Sequence, residues 1–165
     1  MNSKKVCLSV RQGFTLIELL LVVSIIGILI GITMRYLGGA RAKGNDASVQ
    51  SNLGTIRALS EIYYLDNFNS YLPVGGTTFG VAPCPVYDIA GTNMFSQNKS
   101  ISMAITEAVL RGKGSSCYNS GTNWTIAIGL NLNTNTSWCV DTEGSAKVVN
   151  SAPLTAINGV TFHCN

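Results

Sequence analysis

A long run of apolar residues lies near the N-terminus of the chain. Residues 14–34 read FTLIELLLVVSIIGILIGITM, and Glu18 carries the one charge in these 21 positions. A helix rises about 1.5 Å per residue, so the run is long enough to cross the roughly 30 Å of bilayer hydrocarbon. We therefore predict a membrane-spanning helix. A cleaved signal peptide is the alternative, since residues 40–42 read ARA, but the apolar core of such peptides is usually only about 7 to 15 residues long.

Beyond this run, apolar residues recur at spacings of three and four, which predicts an amphipathic helix that continues to about Asp66. The members of the stripe are Val49, Leu53, Ile56, Leu59 and Tyr63. The polar residues Asp46, Ser48, Asn52 and Arg57 fall largely on other faces. We expect the stripe to pack on a globular domain rather than to line a ligand site.

A segment rich in Gly, Pro, Asn and Thr follows, and residues 67–98 are expected to form loops. The sequence SISMAITEAVL at 100–110 predicts a second, short helix with Ser100 as its cap. The sequence GKG at 112–114 is expected to end this helix.

The C-terminal part carries the pattern of short strands. Residues 124–130 alternate large apolar with small or polar side chains, which is typical of a half-buried strand. Residues 137–140 and 146–149 flank a turn at 141–144 and predict an antiparallel hairpin, and 160–164 are expected to supply a last strand. The predicted fold class is α+β, with a long N-terminal helix packed on a small antiparallel β-sheet.

The composition narrows the class of protein. The chain has 165 residues, enough for one domain with a short appendage, and only 12% of them are charged, against about a quarter in ordinary domains. The net charge of +3 comes from Lys4, Lys5 and Arg11, because the other 8 basic residues balance 8 acidic ones. These values exclude a disordered chain and a nucleic-acid binder with a dense basic surface. Five cysteines without a Cys-x-x-Cys pair favour an oxidising compartment.

The carboxylate of Glu18 is unusual inside an apolar helix. Burial of a charge near the bilayer centre costs about 3 kcal/mol, so the group needs either a partner or a position near the membrane interface. A cut after Gly13 would place the new amino group of Phe14 close to Glu18 in sequence. The amine could then pair with the carboxylate of its own chain or of a neighbouring subunit.

These N-terminal residues resemble a known family. Residues 11–20, RQGFTLIELL, resemble the processing site of type IV pilins and of the related pseudopilins. The combination is specific, because it joins a short basic leader, a glycine before an aromatic residue and a lone carboxylate in a membrane span. The resemblance covers the leader and the apolar helix closely, and the rest of the chain only in the layout of its elements.

The resemblance implies a route of maturation. A prepilin peptidase would cut after Gly13, the amino group of Phe14 would be methylated, and Glu18 would contact the N-terminal amine of a subunit already in the filament. The implied organisation is a leader at 1–13, a hydrophobic transmembrane and filament-core helix half at 14–37, an amphipathic helix half at 38–66 and a globular head at 67–165.

The implied function is that of a structural subunit, major or minor, of a type IV pilus-like filament that serves adhesion, motility or DNA uptake. The implied partners are other filament subunits, the prepilin peptidase and an inner-membrane assembly platform, with nucleic acid only for a DNA-uptake pilin. The precursor would cross the bacterial inner membrane once and then move to the pilus on the cell surface.

Two other functions stay open. A pseudopilin of a type II secretion system would end in a periplasmic pseudopilus, and the lack of a proline before Pro73 favours it. A membrane-anchored monomeric binding module is the other. Four exported cysteines and a head rich in Thr and Asn favour the surface pilus. The residue before Gly13 is Gln12, where many members of the family have Lys or Arg.

Removal of the leader would take Cys7 away and leave Cys84, Cys117, Cys139 and Cys164 in the exported part. Four cysteines allow three pairings, and the sequence does not choose among them. We favour Cys84–Cys117 across the loop region and Cys139–Cys164 between the hairpin and the C-terminus. The second pair resembles the C-terminal disulfide loop of many pilins.

The sequence holds no catalytic constellation, and we predict no enzyme, no cofactor and no metal site. His163 is the one histidine of the chain, and in a strand its side chain would point away from that of Cys164. A metal site at His163 lacks a pair of ligands at the usual spacing. A calcium site at Asp141 and Glu143 is a further alternative, although such a turn is more often simply solvated.

Aromatic residues near the end of the long helix have two interpretations. Tyr63, Tyr64, Phe68 and Tyr71 could stack on the bases of single-stranded DNA or pack in the core of the head. Few basic residues lie near them in the sequence, which favours core packing.

Overall fold

The computed structural model describes residues 13–165, apart from the side chain of Arg35. The predicted leader, with the exception of Gly13, lies outside the described residues. The chain divides into two compact units, one ending at Gly38 and the other covering Gly39–Asn165. The elements in chain order are α1 (Leu16–Asp66), β1 (Phe79–Ala82), α2 (Met94–Gln97), α3 (Lys99–Arg111), β2 (Ser115–Asn119), β3 (Trp124–Gly129), β4 (Ser137–Asp141), β5 (Ala146–Val149) and α4 (Pro153–Ala156).

The described part of the first unit contains the N-terminal part of helix α1 and the three residues before it. Its side chains from 13 to 34 are all exposed, and Leu16–Met34 has a mean hydropathy of 2.7 over 19 residues. The hydroxyl of Ser24 donates to the carbonyl of Leu21, and that of Thr33 to the carbonyl of Ile30, so both polar side chains are satisfied on the helix itself. A helix of this length and surface suits an apolar environment.

The second unit buries one stripe of helix α1, as the periodicity predicts. Its fully buried members are Val49, Leu53 and Ile56, and Leu59 and Tyr63 pack against the same core from the margin. Asp46 also lies on this stripe, and its side chain is only 5% exposed. The expectation that Asp46 falls on another face is therefore wrong. A residue three positions before Val49 lies on the same face of the helix. The buried carboxylate is tolerated because backbone N–H groups donate hydrogen bonds to it.

The strands form one antiparallel sheet of five in the order β1-β2-β3-β4-β5. The predicted hairpin is confirmed as β4 and β5. Strand β3 lies at the centre, where Ile126 pairs with Cys117 on β2 and with Val140 on β4. Strands β2 to β5 are joined by short connections, whereas residues 83–114, which contain α2 and α3, lie between β1 and β2.

Strand β3 is buried on both faces, not half-buried as its alternation predicted. On one face Trp124, Ile126 and Ile128 join the core that contains the α1 stripe and helix α3. On the other face Ala127 packs in a second cluster with Ala156 of α4 and other residues. The small residues on that face leave room for α4 and the C-terminal segment to cover the sheet.

Other predictions about the head are corrected. The region 67–98 is not only loop, because it contains β1 and α2, and β2 was not predicted. The expected strand at 160–164 is absent from the described residues: Ile157 and Cys164 form an isolated bridge, and Phe162 has a φ of 58°. The amide oxygen of Asn158 accepts from the backbone N–H groups of Val160 and Thr161, which folds the segment into a turn instead.

Helix α3 is present, but its cap is not Ser100. Asn98 precedes the helix, and its side-chain oxygen accepts from the backbone N–H of Ile101 at 3.1 Å. The helix ends where predicted, and the N–H of Gly112 donates to the carbonyl of Ala108. Asn is as good a cap as Ser, so two candidate caps two positions apart cannot be separated by residue type.

Candidate functional site

The first turn of helix α1 and the residues just before it include those for which the sequence predicts roles in maturation and assembly. Phe14 is 75% exposed just before the helix, next to Gly13. Thr15 and Glu18 bind each other: the N–H of Thr15 donates to Oε2 of Glu18 at 3.0 Å, and the N–H of Glu18 donates to the hydroxyl of Thr15 at 3.4 Å. The hydroxyl of Thr15 also donates to Oε2 of Glu18 at 2.7 Å.

This arrangement is a capping box. A Thr at the cap and a Glu three residues later exchange bonds with each other's backbone N–H and satisfy two donors that the first turn leaves free. The sequence reading of Glu18 missed Thr15 as its partner, although the spacing Thr-x-x-Glu was the signal. Glu18 is therefore bound to Thr15 of its own chain by three hydrogen bonds.

The capping box leaves part of the carboxylate free. Both bonds that Glu18 accepts from Thr15 end on Oε2, and no bond to Oε1 is present among residues 13–165. A carboxylate can accept about four hydrogen bonds. An amine brought to Oε1 could therefore pair with Glu18 without opening the capping box.

Two disulfides cross-link the head, and both favoured pairings are confirmed. Cys84–Cys117 joins the loop after β1 to β2 with a Cα–Cα distance of 4.8 Å, and Cys139–Cys164 joins β4 to the C-terminal segment at 5.8 Å. They close loops with sequence separations of 33 and 25 residues. On the chain-entropy estimate each stabilises the head by about 3 to 4 kcal/mol.

The turn between β4 and β5 binds the C-terminal segment through Asp141. Oδ1 of the buried Asp141 accepts from the N–H of Ser145, and Oδ2 accepts from the N–H of Cys164, both at 3.0 Å. His163 lies between two carboxylates, with Nε2 at 3.4 Å from Glu143 and Nδ1 at 3.9 Å from Asp141. Both carboxylate oxygens of Asp141 thus accept hydrogen bonds from backbone N–H groups. No group of three or more potential metal ligands occurs in the described part of the chain.

The aromatic residues at the end of helix α1 fall into two groups. The ring of Tyr64 lies 4.6 Å from that of the buried Tyr71, and the hydroxyl of Tyr63 donates to Gln97. Burial, together with its hydrogen bond to Glu61, raises the pKa of Tyr71 to about 12. These three tyrosines pack on the head, as the preferred interpretation holds. Phe68 differs, because its ring is 88% exposed.

Asp46 was not recognised as a site residue by sequence reasoning. Its Oδ1 accepts from the N–H of Asn131 at 2.6 Å and from the side-chain amide of Asn131 at 3.0 Å, and its Oδ2 accepts from the N–H of Leu132 at 3.1 Å. The two partners are 85 and 86 residues away in sequence. No local pattern predicts such a bond.

Two comparisons with known proteins agree with each other. A profile described as "Prokaryotic N-terminal methylation motif" matches residues 8–34. The "Type IV wide pilus major component PilA4" of Thermus thermophilus is 45% identical over 60 residues, which make up 36% of this chain and 45% of that protein. The match thus spans less than half of the relative's length. No solved structure matches the chain.

The motif and the identity to PilA4 support the type IV pilin family, which is a family of structural proteins and not of enzymes. The fold agrees with this family: a long apolar N-terminal helix, a shorter helix and a five-stranded antiparallel sheet.

Proposed function

We propose that the chain is a structural subunit of a type IV pilus-like filament. The observation that carries the proposal is the 19-residue apolar segment Leu16–Met34 of helix α1, in which no residue is buried in the chain and whose first turn contains Glu18, bound to its cap Thr15. Such a surface requires an apolar environment. The bilayer provides it for the stored precursor, and the bundled helices of neighbouring subunits provide it in the filament.

Maturation would precede assembly. A prepilin peptidase cuts after Gly13, and the amino group of Phe14 is methylated. Both residues lie before the first helical turn, and among residues 15–165 no atom lies within 4 Å of a Cβ placed on Gly13, which supports a bond that is open to a protease. The exported protein would then start at Phe14 and carry its head outside the inner membrane.

Glu18 would set the register of the helices. In an apolar bundle a carboxylate without a partner is costly, so a subunit is retained only where the free oxygen of Glu18 meets a cation. The N-terminal amine of an earlier subunit is such a cation. The capping box would hold the carboxylate at the start of the helix, where it can reach that amine.

The first test is the mass of the N-terminal peptide of the protein from native membranes and from material sheared off the cells. We expect a start at methylated Phe14 in both fractions. Methylated Phe14 in membranes together with absence from the sheared fraction would instead identify a pseudopilin of a type II secretion system. An intact Met1 in cells with a working prepilin peptidase would identify a membrane-anchored binding module.

The second test separates the two possible roles of Glu18, as a cap of helix α1 and as the charged partner of an amine. Glu18→Gln keeps a side chain that can close the capping box, because Gln also serves at this position, but it removes the charge. We expect both Glu18→Gln and Glu18→Ala to be inserted and cleaved but to give almost no filaments. Glu107→Gln, an exposed carboxylate of helix α3, is the matched control and should assemble normally. Normal filament yield from Glu18→Gln would show that Glu18 acts only as a cap.

A further inference from the structure

The end of helix α1 presents apolar side chains to solvent. Ile62, Leu65 and Phe68 follow one another at intervals of three, and they are 56%, 73% and 88% exposed. We call these three residues the knob. The first two are neighbours on one face of the helix, and the third lies in the turn that ends it.

The backbone at Phe68 is strained. The N–H of Asn69 donates to the carbonyl of Tyr64 at 3.0 Å, and Phe68 has a φ of 53°. This is the left-handed position of a helix C-terminus, where glycine is usual because a side chain is disfavoured there. A bulky aromatic residue that is both strained and exposed does nothing for the isolated head. Such outliers are concentrated at functional sites.

A shallow apolar groove lies elsewhere on the head, between the loop after β1 and helix α3. Its walls are Pro85 and Val86 on one side and Ile105, Val109 and Leu110 on the other. Its volume is about 120 Å³, close to the ~150 Å³ of an engineered cavity that takes up benzene. Val86 and Leu110 on its rim are 76% and 71% exposed.

The groove is also held in shape. The Cys84–Cys117 disulfide ties its loop to β2, and the N–H of Cys84 donates to the hydroxyl of Ser115. The loop is closed at its far end by the bond from the N–H of Asp88 to the carbonyl of Ser96 at 2.9 Å. A preformed apolar groove binds a ring at a lower cost in conformational entropy than a mobile one.

The charges around the two surfaces are opposite in sign. From 58 to 74 the chain carries two acidic residues, Glu61 and Asp66, and no basic one. From 84 to 114, the segment that carries both walls of the groove, it has three basic residues and two acidic residues. Arg111 directly follows Leu110 of the groove, just as Asp66 directly follows Leu65 of the knob. Charge complementarity of this kind fixes the orientation of a contact.

We propose that the knob of one copy of this chain inserts Phe68 into the groove of the next copy, with Asp66 beside Arg111. The proposal rests on the proposed function as a filament subunit and adds to it the contact between heads. Because the two surfaces differ, the contact is heterologous: each copy uses its knob on one neighbour and its groove on the other. Contacts of this type that do not close into a ring build an open helical assembly.

Cross-linking of the full-length chain in cells tests the contact. The double variant Asp66→Cys with Arg111→Cys keeps Phe68 and the groove, and both positions are exposed. Treated with a short bismaleimide, it should give a ladder of covalent oligomers beyond the dimer. Each single variant carries one cysteine of the pair and should give no ladder. The control pairs Asp66→Cys with Val160→Cys, which is 84% exposed on the C-terminal segment, and it should give no ladder either. Filaments of the double variant without a ladder would overturn the proposed contact.

Phe68→Gly provides a second measurement. Glycine suits the left-handed backbone, so the head should unfold at the same temperature as the wild type or higher. Removal of a central aromatic anchor should nevertheless lower the yield of filaments about tenfold or more. Phe68→Tyr should restore the yield. Wild-type yield from Phe68→Gly would overturn the contact and leave the proposed function in place, whereas wild-type protein that keeps Met1 and forms no filament would overturn both.

Discussion

The two units of the chain obtain their structure in different ways. In the first, which ends at Gly38, the side-chain hydrogen bonds described are local: Thr15 to Glu18, Ser24 to Leu21 and Thr33 to Ile30, each three residues apart. In the second, Asp46 binds a residue 85 positions away. The described part of the first unit, from Gly13 to Gly38, forms a helix but encloses no core, so other molecules must cover its apolar side chains. The second encloses its core and is tied by bonds between distant residues.

Loss of the Cys139–Cys164 disulfide should show the largest difference between the units. The double variant Cys139→Ala with Cys164→Ala frees a loop closed over 25 residues, so the head should lose about 3 to 4 kcal/mol of unfolding free energy. Both tryptophans, Trp124 and Trp138, lie in the head, so their fluorescence during urea unfolding of the detergent-solubilised chain reports that unit alone.

The apolar helix should not respond to this change. Insertion of the double variant into membranes should equal that of the wild type, because the disulfide joins two residues of the second unit. Val160→Ala, an exposed change in the same C-terminal segment, is the control and should leave the urea midpoint in place. A midpoint of the double variant equal to that of the wild type would contradict the assigned role of this disulfide.

Asp46→Ala should have the next largest effect. The change leaves the N–H groups of Asn131 and Leu132 without their acceptor, and the head should lose about 2 kcal/mol of unfolding free energy. Asp46→Asn keeps one acceptor oxygen and should lose less. Asp66→Ala removes an exposed carboxylate from the same helix and should stay within about 0.5 kcal/mol of the wild type. Equal losses from Asp46→Ala and Asp66→Ala would contradict the role of Asp46.

The same contrast explains what the sequence could predict. The prediction of helix α1 rests on the spacing of its apolar residues, and that of the hairpin of β4 and β5 on the turn between two strand patterns. Both signals lie in residues close together in the chain, and both predictions are confirmed. Strand β2 was missed because Ser115–Asn119 reads SSCYN, a polar segment that becomes strand only through its pairing with β3. The C-terminal alternation at Val160 and Phe162 predicted a strand where Asn158 instead forms a turn.

The candidate site divides in the same way. The roles proposed for Gly13, Phe14 and Glu18 rest on contiguous residues and do not depend on the fold of the head. Asp46 was placed on the wrong face because its partners, Asn131 and Leu132, are distant in sequence. The exposure and positive φ of Phe68 likewise follow from how the helix ends, which the composition of the segment does not specify.

Thr15→Ala should give the smallest effect, and one confined to the first unit. It removes the hydroxyl that binds both the N–H and the carboxylate of Glu18, so the first turn of α1 should open more often. Hydrogen exchange of the chain in detergent should be faster at the amides of 16–18 and unchanged elsewhere, and the urea midpoint of the head should not move. Thr33→Ala is the matched control, because its hydroxyl binds a carbonyl inside the same helix and caps nothing. Thr15→Ser should restore slow exchange. A shift of the head's midpoint in Thr15→Ala would mean that the two units are coupled in stability, and the contrast between a locally and a distantly determined unit would then be wrong.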